Sequence, residues 1–142
     1  MPPSSFLSLR ADCPCCRYPT LPRDSAYEIC KLCNWEDDGQ NDDDANEVRG
    51  GPNSDYSLAQ ARQNFNRYRV MYEPGRDQRI TGKDTQLAYD TKGLLMEAFT
   101  RLLNVAESER PTCEVEVSRL ERVLQNETAH RVREYEQRNR GT

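Results

Sequence analysis

The sequence predicts an α+β chain: a small four-cysteine β-ribbon, then an acidic loop, then about three α-helices. Three observations carry this. Two C-x2-C pairs, Cys13-Pro14-Cys15-Cys16 and Cys30-Lys31-Leu32-Cys33, lie close together near the N-terminus. Seven carboxylates crowd into twelve residues just after them, and apolar residues recur at helical spacing through the second half. With 142 residues, the chain has the size of one domain or of one small module with an appendage. Gly50-Gly51-Pro52-Asn53 punctuates it strongly, so we divide it into a cysteine-rich module with its acidic loop, residues 1–56, and a helical region, residues 57–142, packing on it.

The cysteines come first because the core is thin. Leu, Ile, Val and Phe make up only 24 of the 142 residues, below the roughly 20% at which chains begin to lack the apolar surface to fold. A metal or a crosslink is the expected compensation. Met1 to Arg10 has no basic start followed by an apolar run, and no stretch approaches about 18 apolar residues. The expectation is therefore a soluble cytoplasmic protein without a signal peptide or membrane span, where closely spaced cysteines are metal ligands more often than disulfides. Two residues between thiolates make a tight knuckle whose sulfurs converge, and 13 residues between the pairs allow a hairpin to join the knuckles. Cys13, Cys16, Cys30 and Cys33 are the expected ligands of a structural, tetrahedral Zn2+ site with no open position. Zinc binding at such sites is worth about 10–16 kcal/mol, enough to offset a small core. Pairing Cys13 with Cys15 would leave the two knuckles with unequal gaps, so Cys15 is read as a spare thiol. Iron in the same site would give a rubredoxin-like redox centre, which the spacing does not distinguish from zinc.

Glu36, Asp37, Asp38, Asp42, Asp43, Asp44 and Glu47 have no base among them, and Gly39, Asn41 and Asn46 favour turns, so this segment reads as an exposed acidic loop. It does not fit a calcium loop. Aligning Gly39 on the loop glycine puts Asn34 at the first ligand position and Ala45 where a bidentate Glu is needed. Trp35, Glu36, Asp37, Asp38, Asp42, Asp43 and Asp44 are instead expected to bind a partner, the indole as anchor and the acids steering a basic surface. The competing expectation, compatible with the first, is that Trp35 covers the ribbon. Residues 1–56 carry 5 basic and 11 acidic side chains, a balance that repels phosphates and makes nucleic acid an unfavoured partner.

The helical region opens at Ser57, which with Gln60 forms a capping-box pattern ahead of Leu58, Ala61, Phe65 and Tyr68. A helix over 57–71 is expected, ended by Pro74-Gly75, with a polar connector over 76–84. Leu87, Leu94, Leu95, Ala98, Phe99, Leu102 and Leu103 predict a second helix, best developed over 91–106 because Gly93 weakens its start. From Pro111 the pattern is double: Cys113, Val115 and Val117 alternate like a strand, whereas Leu120, Val123, Leu124, Val132 and Tyr135 are helical. One long helix from Pro111 is favoured, with a shorter one capped by Ser118 and Glu121 as the alternative. Arginines and glutamates interleave along it, giving a mixed solvated face that includes His130, the sole histidine.

An ordered series of motifs carries a family resemblance: CPCC, then Tyr27-Glu28-Ile29-Cys30-x-x-Cys33, then Trp35-Glu36-Asp37-Asp38-Gly39-Gln40, then Glu47-Val48-Arg49-Gly50-Gly51-Pro52-Asn53, then Ser57-Leu58, Ala61-Arg62 and Asn64-Phe65. Together they resemble the bacterial cysteine-rich CPCC proteins over residues 13 to about 68. Arg17 departs from the family, which usually has Gly after CPCC, so Arg17 bears strain or the turn shifts. The family has no established catalytic activity, and members resembling it occur among immunity proteins encoded beside bacterial polymorphic toxins. The resemblance therefore implies a protein-binding inhibitor that neutralises a cognate protein toxin by a stoichiometric occluding complex. A zinc-ribbon adaptor or nucleic-acid binder, and an iron redox carrier, are the alternatives. No P-loop or HExxH motif is present, and a four-cysteine site leaves zinc no open position, so the chain is read as a non-enzyme.

Overall fold

The computed structural model describes residues 5–23, 27–73 and 84–140. They fall into two compact units, Met1–Glu73 and Pro74–Thr142. The first unit includes the helix that follows Ser57, which the glycine-proline punctuation assigns to the rear. The architecture is α+β, with four α-helices and one small sheet among the described residues.

In the first unit, a turn of helix α1 (Ser5–Ser8) leads into β1 (Arg10–Ala11), which pairs antiparallel with β2 (Leu21–Pro22) in the register Arg10↔Pro22 and Ala11↔Leu21. A second hairpin follows, closed by the isolated antiparallel bridge Ile29↔Glu36. Two 3-10 turns, Asp42–Asp44 and Gly51–Asn53, then carry the chain to helix α2 (Leu58–Tyr68). Ser57 caps α2 as the sequence predicts, its hydroxyl accepting from the Gln60 N–H at 3.1 Å. Leu58, Ala61 and Phe65 line its buried face. The helix stops three residues short of the expected end because Arg69 turns left-handed at φ 62°, with its N–H bonded to the Phe65 carbonyl at 2.8 Å. The chain then doubles back, so that the Met71 N–H reaches the Cys33 carbonyl at 2.8 Å and Asn64 Nδ2 reaches the Met71 carbonyl at 2.9 Å. Leu21, Leu32, Trp35, Leu58, Phe65, Met71 and Tyr72 form the core of this unit.

The second unit is a helical hairpin of α3 (Gln86–Asn104) and α4 (Arg110–Arg140), joined by a short 3-10 turn at Glu107–Glu109. Helix α3 begins at Gln86, taking in Leu87 ahead of the best-developed stretch from 91, because Thr85 supplies a cap, accepting from the Ala88 N–H at 3.1 Å; Gly93 sits inside the helix without delaying it. Helix α4 settles the double pattern after Pro111. Cys113, Val117, Leu120 and Leu124 are buried while Val115 is 69% exposed. A strand would place Val115 on the same face as Cys113 and Val117, so the 3.6-residue period wins. The connector expected over 76–84 lies outside the described residues apart from Asp84, which pairs with the buried Lys92 at 2.7 Å. Among the described residues, no helix is long and apolar enough to cross a membrane.

Candidate metal centre

Each C-x2-C pair closes on itself in the same way. The Cys13 N–H bonds the Tyr18 carbonyl at 2.9 Å and the Arg17 N–H bonds the Cys13 carbonyl at 2.7 Å; the Cys30 N–H bonds the Trp35 carbonyl at 2.9 Å and the Asn34 N–H bonds the Cys30 carbonyl at 2.9 Å. The residue after the second cysteine is left-handed in both, with Arg17 and Asn34 each at φ 69°. Asparagine tolerates this region, whereas arginine bears a cost of order 1–2 kcal/mol. Of the two outcomes open at Arg17, strain in an unshifted turn is therefore the one observed.

These paired turns aim four sulfurs at one point. Cys13 Sγ lies 3.6 Å from Cys33 Sγ and Cys16 Sγ lies 3.7 Å from Cys30 Sγ, and all four fall within 4.8 Å of one another. A tetrahedral ion with metal–sulfur bonds of about 2.3 Å separates its sulfurs by about 3.8 Å, so the cluster fits such an ion and the donor set suits zinc or iron. All four residues are buried. Cys15 is buried too, at 3% exposure, yet lies outside the group of four.

Around Cys30 the protein supplies donors suited to a thiolate. The N–H groups of Leu32 and Cys33 reach its sulfur at 3.4 Å, and Thr20 Oγ1 lies 2.9 Å away. Burial pushes the Cys30 thiol up, but contacts from Cys13, Cys16, Cys33 and Thr20 outweigh it and hold the pKa well below the ordinary value. Cys16 is pushed far up, first by its contact with Cys13, and Cys33 is pushed up first by burial. Four thiols in contact do not all ionise alone; a bound cation is what makes four thiolates compatible.

The acidic segment beside this cluster is more organised than a solvated loop. Trp35 is completely buried, so it is a core residue and not the exposed interface anchor that the sequence reading offers; the competing expectation, that it covers the ribbon, is the one observed. Glu36 has both its backbone groups held by Asn53, which accepts from its N–H at 3.0 Å and donates to its carbonyl at 2.8 Å. Asp37 and Asp38 cap local turns through the N–H groups of Gly39 and Gln40. Gln40, only 2% exposed, donates from Nε2 to the carbonyls of Asp44 and Glu47 at 2.9 and 2.8 Å. Asp42 accepts from Arg62 at 2.6 Å and lies 3.5 Å from Arg17, and the Arg62 hydrogen bond is the chief reason its carboxyl sits below the usual range. Asp44 is lowered first by the Asn41 N–H and also pairs with Arg49, which donates to the Asp38 carbonyl at 2.7 Å. Asp43 remains exposed.

The bases absent from the acidic run thus come from Arg17, Arg49 and Arg62. Arg62 matters twice, because its Nε also donates to the carbonyl of Pro14, inside the first knuckle, at 2.9 Å. Sequence reading did not assign roles to Thr20, Gln40, Asn53 or Arg62. The only sequence signal for the last three was their place in the recurring motifs.

Fold and site define a class: a small α+β module whose two cysteine knuckles are positioned to bind one metal ion. The chain matches the family described as cysteine-rich CPCC over residues 11–86, just over half its length, and it belongs to that family. The match runs past residue 68 to the start of α3. No curated protein and no solved structure matches the chain.

Proposed function

We propose that this chain is a zinc-stabilised protein-binding module and not an enzyme, acting in the cytoplasm as an immunity protein that neutralises a cognate bacterial toxin by stoichiometric occlusion. The observation that carries the metal is the set of four buried sulfurs at tetrahedral spacing. Four thiolates fill a tetrahedral ion, so zinc there stabilises the fold and has no position left for a substrate. Elemental analysis of protein purified without added metal tests this: about one zinc per chain is expected for a single site. A value well below one, with no iron either, overturns it, and a red protein replaces zinc with iron.

The partner rests on the family resemblance and on charge. Acidic groups on the first unit suit a cationic cleft, such as one that handles nucleic acid or a nucleotide, and raise the rate of encounter. The decisive experiment is titration against the protein product of an adjacent toxin gene. A saturable one-to-one complex that abolishes the toxin's activity supports the reading; loss of toxin activity without a complex, or no effect at all, refutes it.

A further inference from the structure

The second knuckle hairpin has two outer edges, and the described residues close only one. Ile29 and Glu36 form a non-hydrogen-bonded antiparallel pair, flanked by the bonds from the Cys30 N–H to the Trp35 carbonyl and from the Asp37 N–H to the Glu28 carbonyl. In such a pair, the N–H and C=O of both residues point away from the hairpin. On the Glu36 side, the Asn53 amide bonds both groups, as an added strand would. On the Ile29 side, no described residue bonds either group, and the Ile29 side chain is 57% exposed.

Unpaired groups beside an exposed β-branched residue are a template for strand addition, which proteins usually blunt with charge, proline or a bulge. Tyr27 limits this edge to one register: its left-handed φ of 62° turns its own N–H inward to the Asp37 carbonyl and leaves its ring 68% exposed next to Ile29. Glu28 is exposed between them, and Glu36 and Asp37 lie across the hairpin. These carboxylates disfavour an acidic strand and a second copy of the same edge, and they favour a cationic one. We infer that the open edge at Ile29 takes an extended basic segment of a partner protein as an added β-strand, with main-chain bonds to Ile29 and apolar contact to Ile29 and Tyr27. This deepens the protein-binding reading and rests on it, with Tyr27 and Ile29 in the anchoring role that buried Trp35 does not fill.

The test uses the full-length zinc-loaded protein, labelled with 15N, and a short end-blocked peptide in which arginine and valine alternate. Addition of this peptide should shift the Ile29 amide resonance and slow its hydrogen exchange. The glutamate–valine counterpart should leave it unmoved, and N-methylation of the peptide's pairing amides should abolish the shift. Glu28→Lys should weaken binding roughly three- to tenfold with the zinc content unchanged. The inference is overturned if the Ile29 amide does not respond to the arginine peptide, or responds equally to the N-methylated or the glutamate peptide. Because the probe is independent of the natural partner, a silent edge in a chain that still forms a one-to-one toxin complex refutes the edge alone. A responsive edge in a chain with no toxin complex leaves the edge standing and refutes the immunity role.

Discussion

Replacing Asn53 with alanine should destabilise the first unit while leaving all four clustered cysteines in place. Asn53 is almost fully buried, and its side chain spans the backbone of Glu36, accepting from the N–H at 3.0 Å and donating to the carbonyl at 2.8 Å. Two such bonds contribute about 1 kcal/mol each, and a backbone group left unpaired in a buried setting costs about 1–3 kcal/mol more. Glu36 is only half-buried, so water recovers part of that penalty, and the expected loss is about 2–4 kcal/mol. Trp35 is the sole tryptophan and belongs to the core of this unit, so its fluorescence during urea unfolding of the zinc-loaded protein reports this unit directly. Asn53→Asp separates the two bonds: it keeps an acceptor for the N–H but sets a second oxygen against the carbonyl, and should be at least as damaging as alanine. A loss below about 0.5 kcal/mol in Asn53→Ala, the range of ordinary surface changes, would refute the claim that this amide holds the hairpin edge.

Three further outcomes follow from other parts of the molecule. Cys30→Ser removes a ligand and the sulfur that Thr20 and two N–H groups address, so it should abolish metal content and folding of the first unit, whereas Cys15→Ser should keep the metal; elemental analysis and Trp35 fluorescence check both. Asp42 has its folded pKa below the ordinary 3.8, chiefly through Arg62, so its stabilising contribution is complete above the unfolded value and is lost as pH falls through the depressed folded one; carboxyl NMR should show Arg62→Ala raising that titration toward 3.8. Asp84→Ala removes the carboxylate that lies 2.7 Å from the buried Lys92 ammonium and should destabilise the helical hairpin by about 1–3 kcal/mol, as read by helical circular dichroism on urea unfolding.

What the sequence revealed was local. The spacing Cys13-x-x-Cys16 and Cys30-x-x-Cys33 specifies its turns within a few residues, and the structure brings those sulfurs together. Ser57 caps α2 through a contact three residues long, and the boundary is legible for the same reason. Trp35 was not legible: a tryptophan beside seven carboxylates reads equally as surface anchor or core, and only tertiary packing settles it. The acidic run misled in the same way, because the arginines that neutralise Asp42 and Asp44 lie 5 to 25 residues away in the chain. Helix α3 shows a smaller error of weighting: Gly93 lowers helix propensity by about 1 kcal/mol, but the Thr85 cap and the buried face of Leu95, Phe99 and Leu102 outweigh it.

The tethers around the knuckles link the four-cysteine cluster to the acidic segment. The first knuckle is held from outside at the Pro14 carbonyl by Arg62, and the same guanidinium holds Asp42 in the acidic segment. The second is held at the Cys33 carbonyl by the Met71 N–H, at Asn34 by the Tyr72 hydroxyl at 2.7 Å, and along Glu36 by Asn53. None of these contacts is to a sulfur, yet each requires its knuckle to keep its shape, and the two knuckles meet at four buried sulfurs that a bound cation would join. A metal bound there would therefore do more than add folding energy: it would fix the Pro14 carbonyl on which Arg62 is registered, and through Arg62 the position of Asp42. On that reading, removal of the metal by a chelator should release Asp42 from Arg62 and let its carboxyl titrate nearer 3.8 even where α2 survives.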